Sequence, residues 1–199
     1  MYILKVYLTV FVFFVLLSGN FFSNQFIKNV EGKSFKEQSG ITLDNQRVML
    51  PDYFNQRMTL VAYGFSRKSS ADFESVLNPF KLRYKNVDEV FYMEIPMIGP
   101  SFKLARKFIE KGMRKSIDKQ HHAHLMTYFK STKPFKDYYG VLDKNRGYFF
   151  LVDPNGIILW QLAGSATPDN LTSLFDLIDN YLTKVKPENK LREFINEDA

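Results

Sequence analysis

The sequence predicts a single mixed α/β domain, made of a parallel β–α–β unit, a late antiparallel hairpin and a closing helix. Three observations predict it. Residues 59–65 (TLVAYGF) form a compact apolar run bounded by polar residues, the pattern of a strand buried on both faces. A second such run, 90–95 (VFYMEI), is separated from the first by a helical pattern, so the connection is a crossover and the two strands are parallel. Residues 148–152 (YFFLV) and 157–162 (IILWQL) flank Asp153-Pro154-Asn155-Gly156, a turn that joins antiparallel strands.

The remaining elements follow in chain order. Residues 1–17 carry one cation, Lys5, and the apolar run 6–17, broken by Ser18, Gly19 and Asn20. That run is short of the ~20 residues that span a bilayer and fits a signal-peptide core of ~7–15. Because Phe21 and Phe22 extend it past a poor cleavage site, a signal peptide and a membrane anchor over 1–23 are both open readings. Residues 24–39 are polar with isolated Phe26, Val30 and Phe35 and are expected to be a linker, so that the domain runs from 40 to 186. Residues 41–50 alternate around Asp44-Asn45 and predict a short hairpin.

Ser69 or Ser70 is placed to cap a helix whose Phe73, Val76, Leu77 and Phe80 recur at helical spacing. Residues 102–117 predict an amphipathic helix with Leu104, Phe108, Ile109 and Met113 as its apolar stripe, and 125–129 a further strand. The last helix begins near Pro168 or Asp169 and places Leu171, Leu174, Phe175, Ile178 and Leu182 on one face. Residues 187–199, rich in Glu, Asn and Lys, are expected to be a flexible tail.

Composition narrows the chemistry. The 199 residues suit one core, and 20 Phe with 11 Tyr supply ample apolar area for it. The chain has no cysteine, which excludes disulfides, thiolate nucleophiles, Cys-ligated zinc and iron–sulfur clusters outright. A formal charge of +6 makes acidic protein surfaces and anionic lipid plausible partners. Nucleic acid is not expected, since no recognition motif or aromatic-interleaved basic stripe accompanies the charge.

The stretches 59–70 and 146–164 resemble the frame of thioredoxin-like proteins and peroxiredoxins: a strand running into a helix, then an F-x-V-D-P-x-G-x-I-x-W hairpin. A closer resemblance, over residues 57–182, is to the mitochondrial ATP synthase assembly factor ten family, a cysteine-free branch of this fold. It rests on LVAYGFSRKSS (60–70), MRKSIDKQHH (113–122) and NRGYFFLVDPNGIILWQLAGSA (145–166). The resemblance implies a thioredoxin-like fold with a mixed central sheet. It also implies chaperoning of a hydrophobic subunit during assembly of the ATP synthase membrane sector, without catalysis. The N-terminus departs from the family, because it looks like a secretory leader and lacks the Arg-rich, Ser-rich pattern of a transit peptide. Location is therefore read as anchored or exported, with the mitochondrial inner membrane as the alternative.

In that frame the reactive thiol of a thioredoxin falls within Ser66, Arg67, Ser69 and Ser70, and Arg146 belongs to the Asn145-Arg146-Gly147 stretch where the frame has its cis-proline. A serine hydroxyl has no accessible anion near neutral pH and no two-electron redox chemistry, so thiol redox activity is excluded. No nucleophile-elbow motif surrounds Ser69, which leaves a helix cap as its expected role. His121, His122 and His124 are the chain's histidines. In an extended segment His122 and His124 would share a face, but two ligands close no metal site, and no cofactor is expected.

The densest cationic run is Lys103, Arg106, Lys107, Lys111, Arg114, Lys115 and Lys119. Lys103, Lys107, Lys111, Arg114 and Lys115 are the expected partner-binding residues, facing a protein, a hydrophobic membrane subunit or a membrane surface. Tyr138, Tyr139 and Trp160 are expected in the core. The expected function is thus a non-catalytic binding or assembly factor. An exported thioredoxin-like protein of another role, and a metal-dependent or hydrolytic enzyme on this fold, stand as alternatives.

Overall fold

A computed structural model describes residues 27–197, so the leader or anchor expected at 1–23 lies outside the described residues. In chain order the elements are β1 (Gln38–Thr42), β2 (Arg47–Leu50), β3 (Met58–Gly64), α1 (Ser70–Tyr84), β4 (Val90–Pro96), α2 (Arg106–Ser116), β5 (Met126–Thr127), α3 (Lys133–Tyr139), β6 (Gly147–Val152), β7 (Ile158–Ala163) and α4 (Pro168–Glu197). The central sheet has the order β4-β3-β6-β7, with β3 parallel to β4 and antiparallel to β6, and β6 antiparallel to β7. This is the mixed thioredoxin-like α/β plan that the sequence predicts.

Alternation along the strands divides the core into two layers. Leu60, Ala62, Tyr92, Phe149, Leu151 and Trp160 face α1 and α4, meeting Val76, Leu77 and Phe80 from the first helix and Leu174 and Ile178 from the second. Val61, Tyr63, Met93, Tyr148, Phe150 and Val152 face the other way. That second layer is covered by the hairpin β1–β2, by α3 through Phe135 and Tyr139, and by Val30 and Phe35. The hairpin and β5 form a small sheet of order β2-β1-β5, which parallel bridges Glu94↔Leu125 and Met97↔Tyr128 join to the edge of β4.

Several expectations are corrected. The expected linker is part of the domain from Ile27 onward: Val30 and Phe35 are buried, and Ser34 bridges Ile157. The cause is backbone pairing, with Gly32 N–H donating to Ile158 O at 2.8 Å and Ile158 N–H to Lys33 O at 2.9 Å. The helix expected at 102–117 begins only at Arg106, because Gly99 at φ 86° and Pro100 divert the chain into a 3₁₀ turn, Pro100–Phe102. The helix is also turned so that Glu110 is its buried residue while Leu104 and Phe108 of the expected stripe are exposed. The strand expected at 125–129 shortens to two residues.

α3, a helix the sequence pattern does not reveal, packs Phe135 and Tyr139 one turn apart into the core. α4 continues to Glu197, past the tail boundary, along a stretch rich in the helix formers Glu188, Lys190, Leu191, Arg192 and Glu193. Among the described residues no helix is long and apolar enough to cross a membrane.

Candidate functional site

The carboxyl ends of the parallel strands are where open α/β sheets place their ligands. Here the register brings the exits of β3 and β4 and the entry to β6 to that edge: Gly64 pairs with Pro96 on one side and with Gly147 on the other. Residues 65–70, the segment after β4 and residues 145–147 therefore meet. Ser66, Arg67, Ser69, Ser70 and Arg146 are gathered there.

The hydroxyls of Ser66 and Ser69 are occupied by the turn and by Asn145. Ser66 is the cap of a 3₁₀ turn, Arg67–Ser69; its Oγ accepts from Lys68 N–H at 3.2 Å and donates to Asn145 Oδ1 at 3.3 Å. Ser69 is buried, and its Oγ donates to Ser66 O at 2.8 Å. Ser69 precedes α1 but makes no side-chain cap to it, which corrects the expected role. Its hydroxyl closes the turn underneath, and close packing explains why: a Cβ on Gly64 would stand 3.2 Å from Ser69 Oγ and from the Phe73 ring. Arg67, Lys68 and Ser70 are exposed at the rim.

Asp72, in the first turn of α1, ties the edge together, a role that no motif in the sequence marks. Its Oδ2 accepts from Gly147 N–H at 2.8 Å and its Oδ1 from Ser165 Oγ at 2.5 Å. One turn on, Ser75 Oγ accepts from Ala166 N–H at 2.9 Å while donating to Asp72 O at 2.7 Å. A carboxylate at a helix N-terminus is favoured by the helix dipole, and here it also binds the starts of β6 and of the segment after β7. The Arg146 guanidinium lies over Gly164, whose added Cβ would come within 2.6 Å of Nη1. Arg146 Nε lies 3.9 Å from Asp143 Oδ2. Tyr148 closes the same loop, its hydroxyl donating to Asp143 O at 2.9 Å and accepting from Asp143 N–H at 3.1 Å.

The expected basic group divides. Lys103 lies in the turn before α2, and Lys107, Lys111 and Lys115 are exposed along the helix. Arg114 is turned inward, with Nε donating to Leu43 O at 2.6 Å and Nη2 to Asn45 Oδ1 at 2.9 Å. The residue that seats the helix is Glu110, buried, whose Oε1 accepts from Thr127 Oγ1 and Arg106 Nε, each at 2.8 Å. The expected apolar stripe does not dock as a unit. Ile109 and Met113 are half-buried, whereas Leu104 and Phe108 point to solvent. The buried carboxylate explains the reversal: once Glu110 faces Thr127, the opposite side of the helix must face out.

The histidines occupy a 3₁₀ turn, Lys119–His124, rather than an extended segment, and each ring makes a hydrogen bond of its own. His121 Nδ1 is 2.7 Å from Tyr92 Oη, His122 Nε2 is 3.0 Å from Ile117 O, and His124 Nδ1 is 3.0 Å from Tyr92 O. His124 also stacks on Tyr92 at 4.2 Å, and burial lowers its pKa. Among the described residues no cluster of metal-ligating side chains occurs.

Solved structures show the same fold. A putative thiol:disulfide interchange protein DsbE from Chlorobium tepidum is 16% identical, with 75% of this chain and 96% of that chain covered at a TM-score of 0.51. The 2-Cys peroxiredoxin of Plasmodium vivax is 16% identical over 78% and 85% of the two chains, at 0.50. BsSco, a member of the Sco family of cytochrome c oxidase assembly proteins, is 14% identical over 83% and 98%, also at 0.50. No curated protein matches the sequence. The family described as ATP10 protein matches residues 17–180. The chain is therefore a member of the ATP10 protein family, built on a thioredoxin-like fold without cysteine.

Proposed function

We propose that this protein is a non-catalytic assembly factor that holds a hydrophobic membrane-sector subunit of ATP synthase, at the inner mitochondrial membrane, until that subunit is built into the enzyme. The observation that carries the reading is the edge at Ser66–Arg146. Its architecture is kept, yet the Ser66 and Ser69 hydroxyls are committed to the turn's backbone and to Asn145, and its rim offers the exposed cations Arg67 and Lys68. Such a surface can bind but has no group positioned for electron or acyl transfer. Family membership supports the ATP synthase connection, and the Sco-family neighbour is a precedent for assembly work on this fold.

The test is affinity capture of the full chain, tagged at its C-terminus, from detergent-solubilised membranes. Membrane-sector subunits of ATP synthase should co-purify, and Arg67→Glu with Lys68→Glu should remove them while the folded protein is recovered. Capture that is unchanged by this double variant would place the client elsewhere. Recovery of the protein without any ATP synthase subunit would end the reading.

A further inference from the structure

We infer that α2 and the turn before it seat the domain on an anionic bilayer surface. This rests on the membrane-linked assembly role proposed above and deepens it by naming the lipid contact. At ~100° per residue, Phe108 stands about 160° around the helix from Glu110, so fixing Glu110 inward points Phe108 directly outward. The exposures agree: Leu104 is 102% exposed, Phe108 81% and Phe102 54%. Lys103, Lys107, Lys111 and Lys115 alternate with these apolar residues and are all exposed. Between residues 95 and 117 the one carboxylate is Glu110, and it is consumed by Thr127, Arg106 and Arg114.

The outward face is therefore apolar and cationic, and the next acid along the chain, exposed Asp118, lies beyond the end of the helix. Beside it lies a groove of about 760 Å³, lined by Met49, Tyr128 and Phe129 together with Arg47, Lys103 and Lys130, and no carboxylate lines it. A protein interface selects against lysine at its centre. A bilayer surface accepts both kinds of side chain at once, with rings and leucine entering the acyl boundary while lysine stems reach back to phosphate. Charge complementarity thus favours an anionic lipid surface over a second protein.

The apolar run at 6–17 can itself partition into lipid, so the test needs a reporter on the face in question. The chain has no cysteine, and a Cβ at Gly112, on the outward side of α2, meets nothing within 4 Å. The full chain carrying Gly112→Cys, labelled with an environment-sensitive NBD group, should brighten and shift to the blue on vesicles of phosphatidylcholine with about one third phosphatidylglycerol. Leu104→Ser with Phe108→Ser, and separately Lys107→Glu with Lys111→Glu, should each raise the lipid concentration needed by at least about tenfold.

An equal response on pure phosphatidylcholine, no response, or the same response from a label at Asn86→Cys on the opposite edge would overturn the inference. So would a response to a detergent-solubilised client subunit in place of vesicles. Capture in detergent contains no bilayer, so a silent label with intact capture defeats the lipid contact alone. A responding label with failed capture defeats the assembly reading alone.

Discussion

α1 and α2 leave the same edge of the sheet, and each is tied to the body by one carboxylate, yet they are held in opposite ways. α1 buries Val76, Leu77, Phe80 and Tyr84, and Asp72 adds a polar stitch to a helix that apolar packing already fixes. α2 buries Glu110, and its largest apolar side chain, Phe108, is left outside. The difference teaches that a helix seated by burial is part of the fold, whereas a helix seated by a charge network can carry an apolar face outward for something else to cover. It also separates what breaks each one.

The largest effect is expected in α1. Phe80→Ala removes a ring packed against Tyr84 and Tyr92, and chemical denaturation should show a loss of about 3–5 kcal/mol across the whole domain. Glu110→Ala should cost about 2–3 kcal/mol by stranding Thr127 and Arg106, with a different signature. Amide protection should collapse over residues 106–116 while β3 and β6 keep theirs. Uniform loss of protection would show that α2 is as integral as α1.

Asp72→Ala should cost about 1–2 kcal/mol, with Asn retaining part of it, and exchange should quicken at Gly147 N–H. The smallest effect comes from His124, in the turn that follows α2. Burial, with smaller contributions from His121, Arg57 and Lys81, lowers its pKa, and its hydrogen bond to Tyr92 O opposes the shift. The unfolded chain then binds the proton more readily, so this contribution is present above an unfolded pKa of about 6.5 and is lost progressively as pH falls from there through the lowered folded pKa. Urea midpoints measured from about pH 7 down to 5 should fall more steeply for the native chain than for His124→Phe; identical slopes would remove His124 from the account.

Most of the central sheet was legible because its strands are apolar runs with turn residues between them, and burial on both faces leaves no other way to place TLVAYGF or YFFLV. The orientation of α2 was not. Period 3.6 tells which residues share a face, and it grouped Leu104, Phe108, Ile109 and Met113, but it cannot tell which face docks. The deciding partner, Thr127, sits on another strand 17 residues away. The serine-rich turn was legible at the candidate site, whereas Asp72 was not, since a lone acid in a first helical turn reads as ordinary dipole compensation. Val30 and Phe35 read as linker residues because two isolated apolar positions have no period; what buries them is the pairing of their segment with β7 and its turn and, for Phe35, the rings of Phe54, Tyr63 and Tyr139.

That pairing also bears on the order in which the domain forms. The N–H of Val30 donates to Gln161 Oε1 across 131 residues of sequence, and Gly32 and Lys33 pair with Ile158 in the same strand. A ribosome must therefore deliver nearly the whole domain before this pairing can form. Closing so long a loop is among the slow steps of folding, and until β7 arrives the Val30 N–H lacks its Gln161 acceptor. The domain closes from its two ends at once, late in synthesis, when strand and segment meet.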